Sequence, residues 1–304
     1  MSVTRRRFCS SLLATAGLST LPRHVIAEMS LGSARVRTVS DGYLTLPRDF
    51  IFGPMPEAEL AEALKGFDLP DGPLTPDCNL TLYQDGTHTV LFDTGSGSDF
   101  MPTAGTLTES LAALDLAPED ITHVIFTHAH PDHIWGAIDD FDEPLFANAT
   151  HLMGRQEWDY WWNPETVETI GVERAAFAVG AKRRLELIES VVERFDHGEE
   201  VLPGIAAFAT PGHTPGHMSF EIRNGTQSAM VVGDAIGNHH IAFRRPAWLS
   251  GSDQDQQMAA DTRGLLFDRL IHEQMALIGF HLPNGGMGHA ERDGAAFRFV
   301  AQEG

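Results

Sequence analysis

The sequence predicts an α/β fold of two halves, its two sheets packed face to face with helices on the outer sides. Three observations predict it. Short apolar runs rich in Val, Ile, Leu and Phe alternate with helical patterns along the chain. The order runs strands, helix, strand, helix, then strands, helix and a final strand, which two α/β halves satisfy. Histidines and acids recur directly after the apolar runs, where such folds place their chemistry.

Each element has its own signal. Residues 34–46 alternate in polarity and read as a strand. Residues 56–67 read as an amphipathic helix through Leu60, Ala61, Leu64 and Phe67. Residues 79–83 and 89–92 read as strands joined by the turn Gln84-Asp85-Gly86, and Phe92-Asp93-Thr94-Gly95 closes the second. Residues 107–114 read as a helix. Pro118-Glu119-Asp120 then restarts the chain toward a strand at 123–126. Residues 145–148 and 151–153 are strand candidates, and 165–190 is mostly helical. Strands follow at 204–209, 218–223 and 229–232, then a helix at 259–273 and the apolar run Leu277-Ile278-Gly279-Phe280.

Composition narrows the class. The chain has 304 residues, 42% hydrophobic, with 29 glycines, as an ordinary globular protein does. Its net charge of −21 argues against nucleic acid as a partner, because phosphate binding needs basic surface. An acidic surface more often means solubility than a specific partner. Thr4-Arg5-Arg6-Arg7-Phe8, a weakly apolar stretch and Val25-Ile26-Ala27 look like a twin-arginine export signal spanning residues 1–27. A periplasmic protein without a stable membrane span is therefore expected, with one domain over residues 28–304. Cleavage there leaves 17 basic residues against 42 acidic ones, a charge of −25. It also leaves Cys78 as the one cysteine, so stability must come from packing and metal rather than a disulfide.

The run Thr127-His128-Ala129-His130-Pro131-Asp132-His133 puts four metal-binding side chains into six residues after the apolar run Val124-Ile125-Phe126. His128 and His130, two apart on a tight loop, can face one ion. Asp132 and His133 sit on the next turn and can serve a second. Imidazole and carboxylate suit zinc, and also iron, manganese or cobalt. Further donors stand at the ends of other apolar runs: His213 in Thr210-Pro211-Gly212-His213-Thr214-Pro215-Gly216-His217, Asp234 after Met230-Val231-Val232-Gly233, and His281 after Phe280. Each alone could be a helix cap, a turn acid or a satisfied core histidine. Together they point to metal.

This set, with the Asp93-Thr94-Gly95 turn, resembles the metallo-β-lactamase superfamily over about residues 35–300. The resemblance implies a four-layer αβ/βα sandwich with a two-metal cleft at the sheet edges. It implies His128, His130 and His213 on one metal, Asp132, His133 and His281 on the other, and Asp234 between them. It implies two zinc ions with a bridging hydroxide as nucleophile toward a small-molecule substrate, an ester, lactone or phosphotriester. Asp132 would orient that hydroxide or shuttle a proton. Thr127 and Asp93 would fix the ligand imidazoles.

The run Gly279-Phe280-His281-Leu282-Pro283-Asn284-Gly285-Gly286-Met287-Gly288-His289 and the ending Ala296-Phe297-Arg298-Phe299-Val300 resemble the methyl parathion hydrolase branch. Asn284 departs from that branch, which usually has an aromatic or apolar residue there, and makes a more polar pocket rim expected. No tyrosine follows Asp234, as it does in small lactonases of the superfamily, and Asp234 itself argues against β-lactamase action. A lactone-specific quorum-quenching enzyme and a mononuclear iron dioxygenase on the same ligands are the alternatives. Among the remaining histidines, His217 is expected to pack or support a ligand. His239 and His240 are expected either to line the cleft or to lie on the surface, and His289 has no assigned role. Trp158, Tyr160, Trp161 and Trp162 are expected as core, homodimer contact or substrate wall, with Phe243 and Trp248 as further wall candidates. Cys78 is expected as a small buried residue.

Overall fold

The computed structural model describes residues 25–302. Fourteen strands among these residues form two seven-stranded sheets, each ordered by chain position. The first holds β1 (Val25–Leu31), β2 (Ala34–Tyr43), β3 (Asp77–Gln84), β4 (Thr89–Phe92), β5 (His123–Phe126), β6 (Thr150–Gly154) and β7 (Val192–Phe195). The second holds β8 (Glu200–Leu202), β9 (Ile205–Ala209), β10 (Met218–Asn224), β11 (Gln227–Gly233), β12 (Ala276–Gly279), β13 (Met287–Asp293) and β14 (Ala296–Ala301).

Side-chain alternation explains the layers. In β5, Ile125 faces the other sheet while Val124 and Phe126 face helices; in β11, Val231 faces inward while Met230 and Val232 face outward. Ile125, Phe92, Phe220, Val231 and Ile278 fill the space between the sheets. The helices α1 (Arg48–Phe52), α2 (Glu57–Ala63), α3 (Leu107–Ala112), α4 (Pro131–Ile134), α5 (Arg155–Trp162), α6 (Thr166–Thr169) and α7 (Ala175–Ile188) belong to the first half. The second half adds α8 (Ile241–Arg244) and α9 (Gln256–His272). Leu185 and Ile188 of α7 pack on the first sheet, and Leu266, Phe267 and Leu270 of α9 on the second. The result is the four-layer αβ/βα sandwich.

Topology decides where chemistry can sit. β4, β5, β6 and β7 pair in parallel, as do β11 and β12, and β9 runs the same way as β11 because both are antiparallel to β10. Parallel neighbours require a crossover, so the carboxyl ends of these strands gather along one edge of each sheet.

Several sequence expectations need correction. Residues 145–148 are turn rather than strand; their apolar residue Phe146 is a buried plug in the core. The helix expected over 165–190 breaks at Gly171, whose φ is 97°. In α2 the buried residue is Ala63, while Ala61 is exposed. Phe243 is fully buried against α9 and does not line the cleft. Asn284, expected at the pocket rim, is exposed with a φ of 56° and is not among the cleft-lining residues; its neighbour Pro283 is.

The export-signal expectation falls outside the described residues up to residue 24. Val25, Ile26 and Ala27 open β1, and the pairs from Glu28 with Arg37 to Leu31 with Ala34 lie beyond the expected cleavage point. Among the described residues no helix is long and apolar enough to cross a membrane. Cys78 is buried, and burial pushes its thiol well above the ordinary value.

Two stability outcomes are expected. Phe220 is fully buried between Phe92 and Phe195, at ring distances of 5.5 and 5.7 Å, so Phe220→Ala should cost about 3–5 kcal/mol in urea unfolding. His151 is buried on β6, and burial pulls its imidazole down to about 4. A depressed histidine stabilises the fold above its unfolded value of about 6.5, and that contribution is lost as pH falls through about 4. His151→Leu should therefore lose about 2–3 kcal/mol less than the parent between pH 7 and 4.5.

Candidate metal centre

The carboxyl ends of β4, β5, β9, β11 and β12 deliver Asp93, the His128–His133 loop, His213, Asp234 and His281 to one place. Donor atoms of His128, His130 and His213 lie within 4.8 Å of one another. Donor atoms of Asp132, His133, Asp234 and His281 do the same. Asp234 touches both groups. Its Oδ2 is 3.4 Å from His213 Nε2 and 3.3 Å from His281 Nε2, and its Oδ1 is 3.4 Å from His133 Nε2. Asp132 Oδ2 stands 3.4 Å from His133 Nε2 and 3.2 Å from His281 Nε2.

Hydrogen bonds at the back of each ring decide which nitrogen faces inward. His133 Nδ1 donates to Asp93 Oδ2 at 2.8 Å, His281 Nδ1 to the Asp77 carbonyl at 2.7 Å and His213 Nδ1 to Asp253 Oδ1 at 3.0 Å. Thr127 Oγ1 gives its proton to Asp93 Oδ2 at 2.8 Å, so it accepts from His128 Nδ1 at 3.1 Å. Each of these four rings therefore turns Nε2 toward the shared centre. His130 differs: its Nδ1 lies 2.9 Å from His213 Nε2, and its Nε2 faces the Gln254 amide at 3.4 Å.

This arrangement fits metal ions. His128 Nε2, His133 Nε2, Asp132 Oδ2 and Asp234 Oδ1 are buried without a hydrogen-bond partner. Lone pairs and carboxylate oxygens converge on one another, and a cation between them resolves the repulsion. Burial would lower the His281 imidazole, but the Asp234 and Asp132 carboxylates outweigh it and hold His281 up to about 10. His133 is raised by the same carboxylates, while burial and neighbouring imidazoles hold His128 and His130 well below the ordinary value.

Supporting residues escaped the sequence reading. Glu157, on α5, takes Ala129 N–H at 2.9 Å and Trp161 Nε1–H at 2.6 Å on one oxygen. Its other oxygen takes the Thr214 hydroxyl at 2.8 Å and Gly216 N–H at 3.0 Å. One buried carboxylate thereby clamps the two loops that carry His128, His130 and His213. A side chain at Gly216 would meet Glu157 N at 2.1 Å, so glycine is required for this approach. Asp253 is held by Arg263 at 2.8 Å and orients His213. Neither acid has a local signal, since each acts through partners 40 or more residues away on at least one side.

The other expected residues fall as follows. His217 is buried and accepts Asp234 N–H on Nε2 at 3.0 Å, so it positions the backbone of that acid. Gly233, with a φ of 52°, makes room for it: a Cβ there would lie 2.7 Å from His217 Nε2. His239 and His240 line the cleft, and burial pulls His240 down to about 3. His289 is exposed beside Glu291. Trp158 and Trp161 are core, Trp161 standing 5.8 Å from the His130 ring, whereas Trp248 lines the cleft. The cleft measures about 430 Å³, with His130, Asp132, Asp234 and His281 at its base and largely apolar walls.

A family model described as the metallo-beta-lactamase superfamily matches residues 75–269. The chain belongs to this superfamily. Among curated relatives, the N-acyl homoserine lactonase AttM of Azorhizobium caulinodans is 35% identical over 112 residues, covering 36% of this chain and 39% of that protein. An AttM of Agrobacterium fabrum is 34% identical over 116 residues, covering 38% and 41%. The chain thus spans about two fifths of the length of these curated relatives. Among solved structures, AidC, a dizinc quorum-quenching lactonase in complex with a product, superposes with a TM-score of 0.85 at 24% identity, over 92% of this chain and 99% of that one. The hydrolase AbOPH, described as in the beta lactamase superfamily, gives 0.84 at 25% identity, over 91% and 97%. The superfamily's αβ/βα architecture is thus shared across nearly the whole described chain.

Glu157→Gln should weaken metal binding by about 10- to 100-fold, because an amide turns a donor toward N–H and O–H groups that need an acceptor. Competition with a chromophoric chelator measures this.

Proposed function

We propose that this protein is a dinuclear metal-dependent hydrolase of carboxylic esters, with lactones as the leading substrate class. The observation that carries the proposal is Asp234, whose carboxylate lies between two separate donor groups. His128, His130 and His213 would hold one ion, and Asp132, His133 and His281 the other. Zinc is the proposed metal, supported by the imidazole and carboxylate donor set and by the dizinc description of AidC. The names of AttM and AidC support lactones. Placement in the methyl parathion hydrolase branch, and phosphotriester cleavage with it, rests on the run from Gly279 to His289 and is a secondary reading. Export to the periplasm rests on the sequence of residues 1–27.

Two bound divalent ions would supply an acidified water and a Lewis acid for the carbonyl oxygen. The chain supplies the rest. Asp132 Oδ2, 3.2 Å from His281 Nε2 and buried without a hydrogen-bond partner among the described residues, would orient the attacking water and accept its proton. Asp132 lines the cleft and can return that proton to the leaving oxygen. The apolar walls, including Ile51, Met55, Leu69 and Trp248, bind the substrate's apolar portion and exclude water around the reacting carbonyl.

Asp234→Ala and His130→Ala should each lower kcat/KM toward an aryl ester or lactone by roughly 1,000-fold or more. Elemental analysis should find two zinc equivalents per chain in the active protein. One iron with oxygen-dependent turnover, or full activity after exhaustive chelation, would overturn the proposal. Relative kcat/KM on aryl esters, lactones of several chain lengths, a phosphotriester and a β-lactam ranks the substrate classes.

A further inference from the structure

We propose that Arg174 forms an anion subsite in the cleft, and that the preferred substrate carries a carboxylate on its acyl arm. The proposal rests on the ester-hydrolase reading above and deepens it.

Two arginines line the cleft, and they differ. Arg263 is buried and neutralised by Asp253 at 2.8 Å. Arg174 has no carboxylate within ion-pair distance among the described residues, in a chain of net charge −21. Its guanidinium has one acceptor, the Gly251 carbonyl at 2.6 Å from Nη2. Nε is buried without a partner. The group is nevertheless held in place. Phe50 lies beneath it, 5.8 Å from the guanidinium carbon to the ring centre, and Gly251 N–H is tied to the Ile51 carbonyl at 3.1 Å. Two chain segments, Phe50-Ile51 and Gly251, thus fix a cation and leave its charge unmatched among the described residues.

Its place relative to the metal centre suits the second end of a substrate. Arg174 precedes α7, and Phe177, three residues on, also lines the cleft and packs 5.9 Å from the His130 ring. Arg174 lines the same cleft as His130 and Asp234, so a substrate with its ester at the metals can present a second, polar end to Arg174. The remaining cleft acids do not compete. Asp132 and Asp234 are bound up with the ligand imidazoles, Asp253 with Arg263, and Asp68 and Asp77 make no ion pair with Arg174. A planar guanidinium over an apolar floor gains most from a carboxylate, which restores the solvation that the cleft removes.

Two 4-nitrophenyl esters of adipic acid test this: the hemiester with a free carboxylate, and its methyl-capped diester. The zinc-loaded protein should favour the hemiester by about tenfold or more in kcat/KM, and R174Q should reduce that ratio by about tenfold. R174K, which keeps the charge, should retain part of the preference and guards against a folding defect in R174Q. No preference in the parent, or equal losses on both esters in R174Q, would overturn the subsite. Binding of adipic acid monoamide and of adipamide, measured by calorimetry on the same proteins, separates the two readings. Absence of turnover on both esters and on every lactone of the panel would sink the ester-hydrolase reading. Selective loss of monoamide binding in R174Q would still support the anion subsite, and unchanged monoamide binding would overturn it.

Discussion

The metal centre depends on one buried carboxylate, Asp93. It ends β4 in a left-handed turn, with a φ of 66°, which aspartate tolerates better than most residues. Its Oδ1 accepts Thr127 N–H at 2.7 Å, and its Oδ2 accepts the Thr127 hydroxyl and His133 Nδ1, both at 2.8 Å. One group thereby fixes the start of the ligand loop, the tautomer of His133 and, through Thr127, that of His128. Burial raises its pKa while His133 and Thr127 oppose that rise. An acid this deeply buried persists only because both of its oxygens accept hydrogen bonds.

The same logic repeats outward. Asp253 turns His213, the Asp77 carbonyl turns His281, and His217 holds the backbone of Asp234. Glu157 ties the two histidine loops together from below. These partners come from both halves of the sandwich, so the site exists only when the two sheets are packed. The interlocked core between the sheets, with Phe92 against Phe220, is therefore part of the site's positioning as well as of its stability.

Much of the fold was legible in the sequence because strand alternation is local. The strand expected at 123–126 coincides with β5, and those at 79–83, 89–92 and 218–223 fall inside β3, β4 and β10. The failures share a cause. Leu145 and Phe146 are apolar because Phe146 plugs the core, and burial alone does not specify a strand. β7 and β13 carry charged residues and lie near sheet edges, so the alternation was weak. Asn284 was assigned to the rim by the resemblance to the methyl parathion hydrolase branch, but its left-handed turn takes it out of the lining.

The sequence by itself determined the donors: three histidines and an acid after one strand, and His213, Asp234 and His281 after three others. Donor identity and loop spacing are local properties, and a short loop such as His128 to His133 limits where its side chains can point. The tertiary structure alone decided that Asp234 lies between two groups, which ring nitrogen each histidine presents, and that Arg174 stands in the cleft wall without a carboxylate partner among the described residues. Those outcomes depend on hydrogen bonds and approaches between residues tens to hundreds of positions apart. No periodicity in the chain records such distances; they are set by parallel strands whose carboxyl ends the crossovers bring to a common edge.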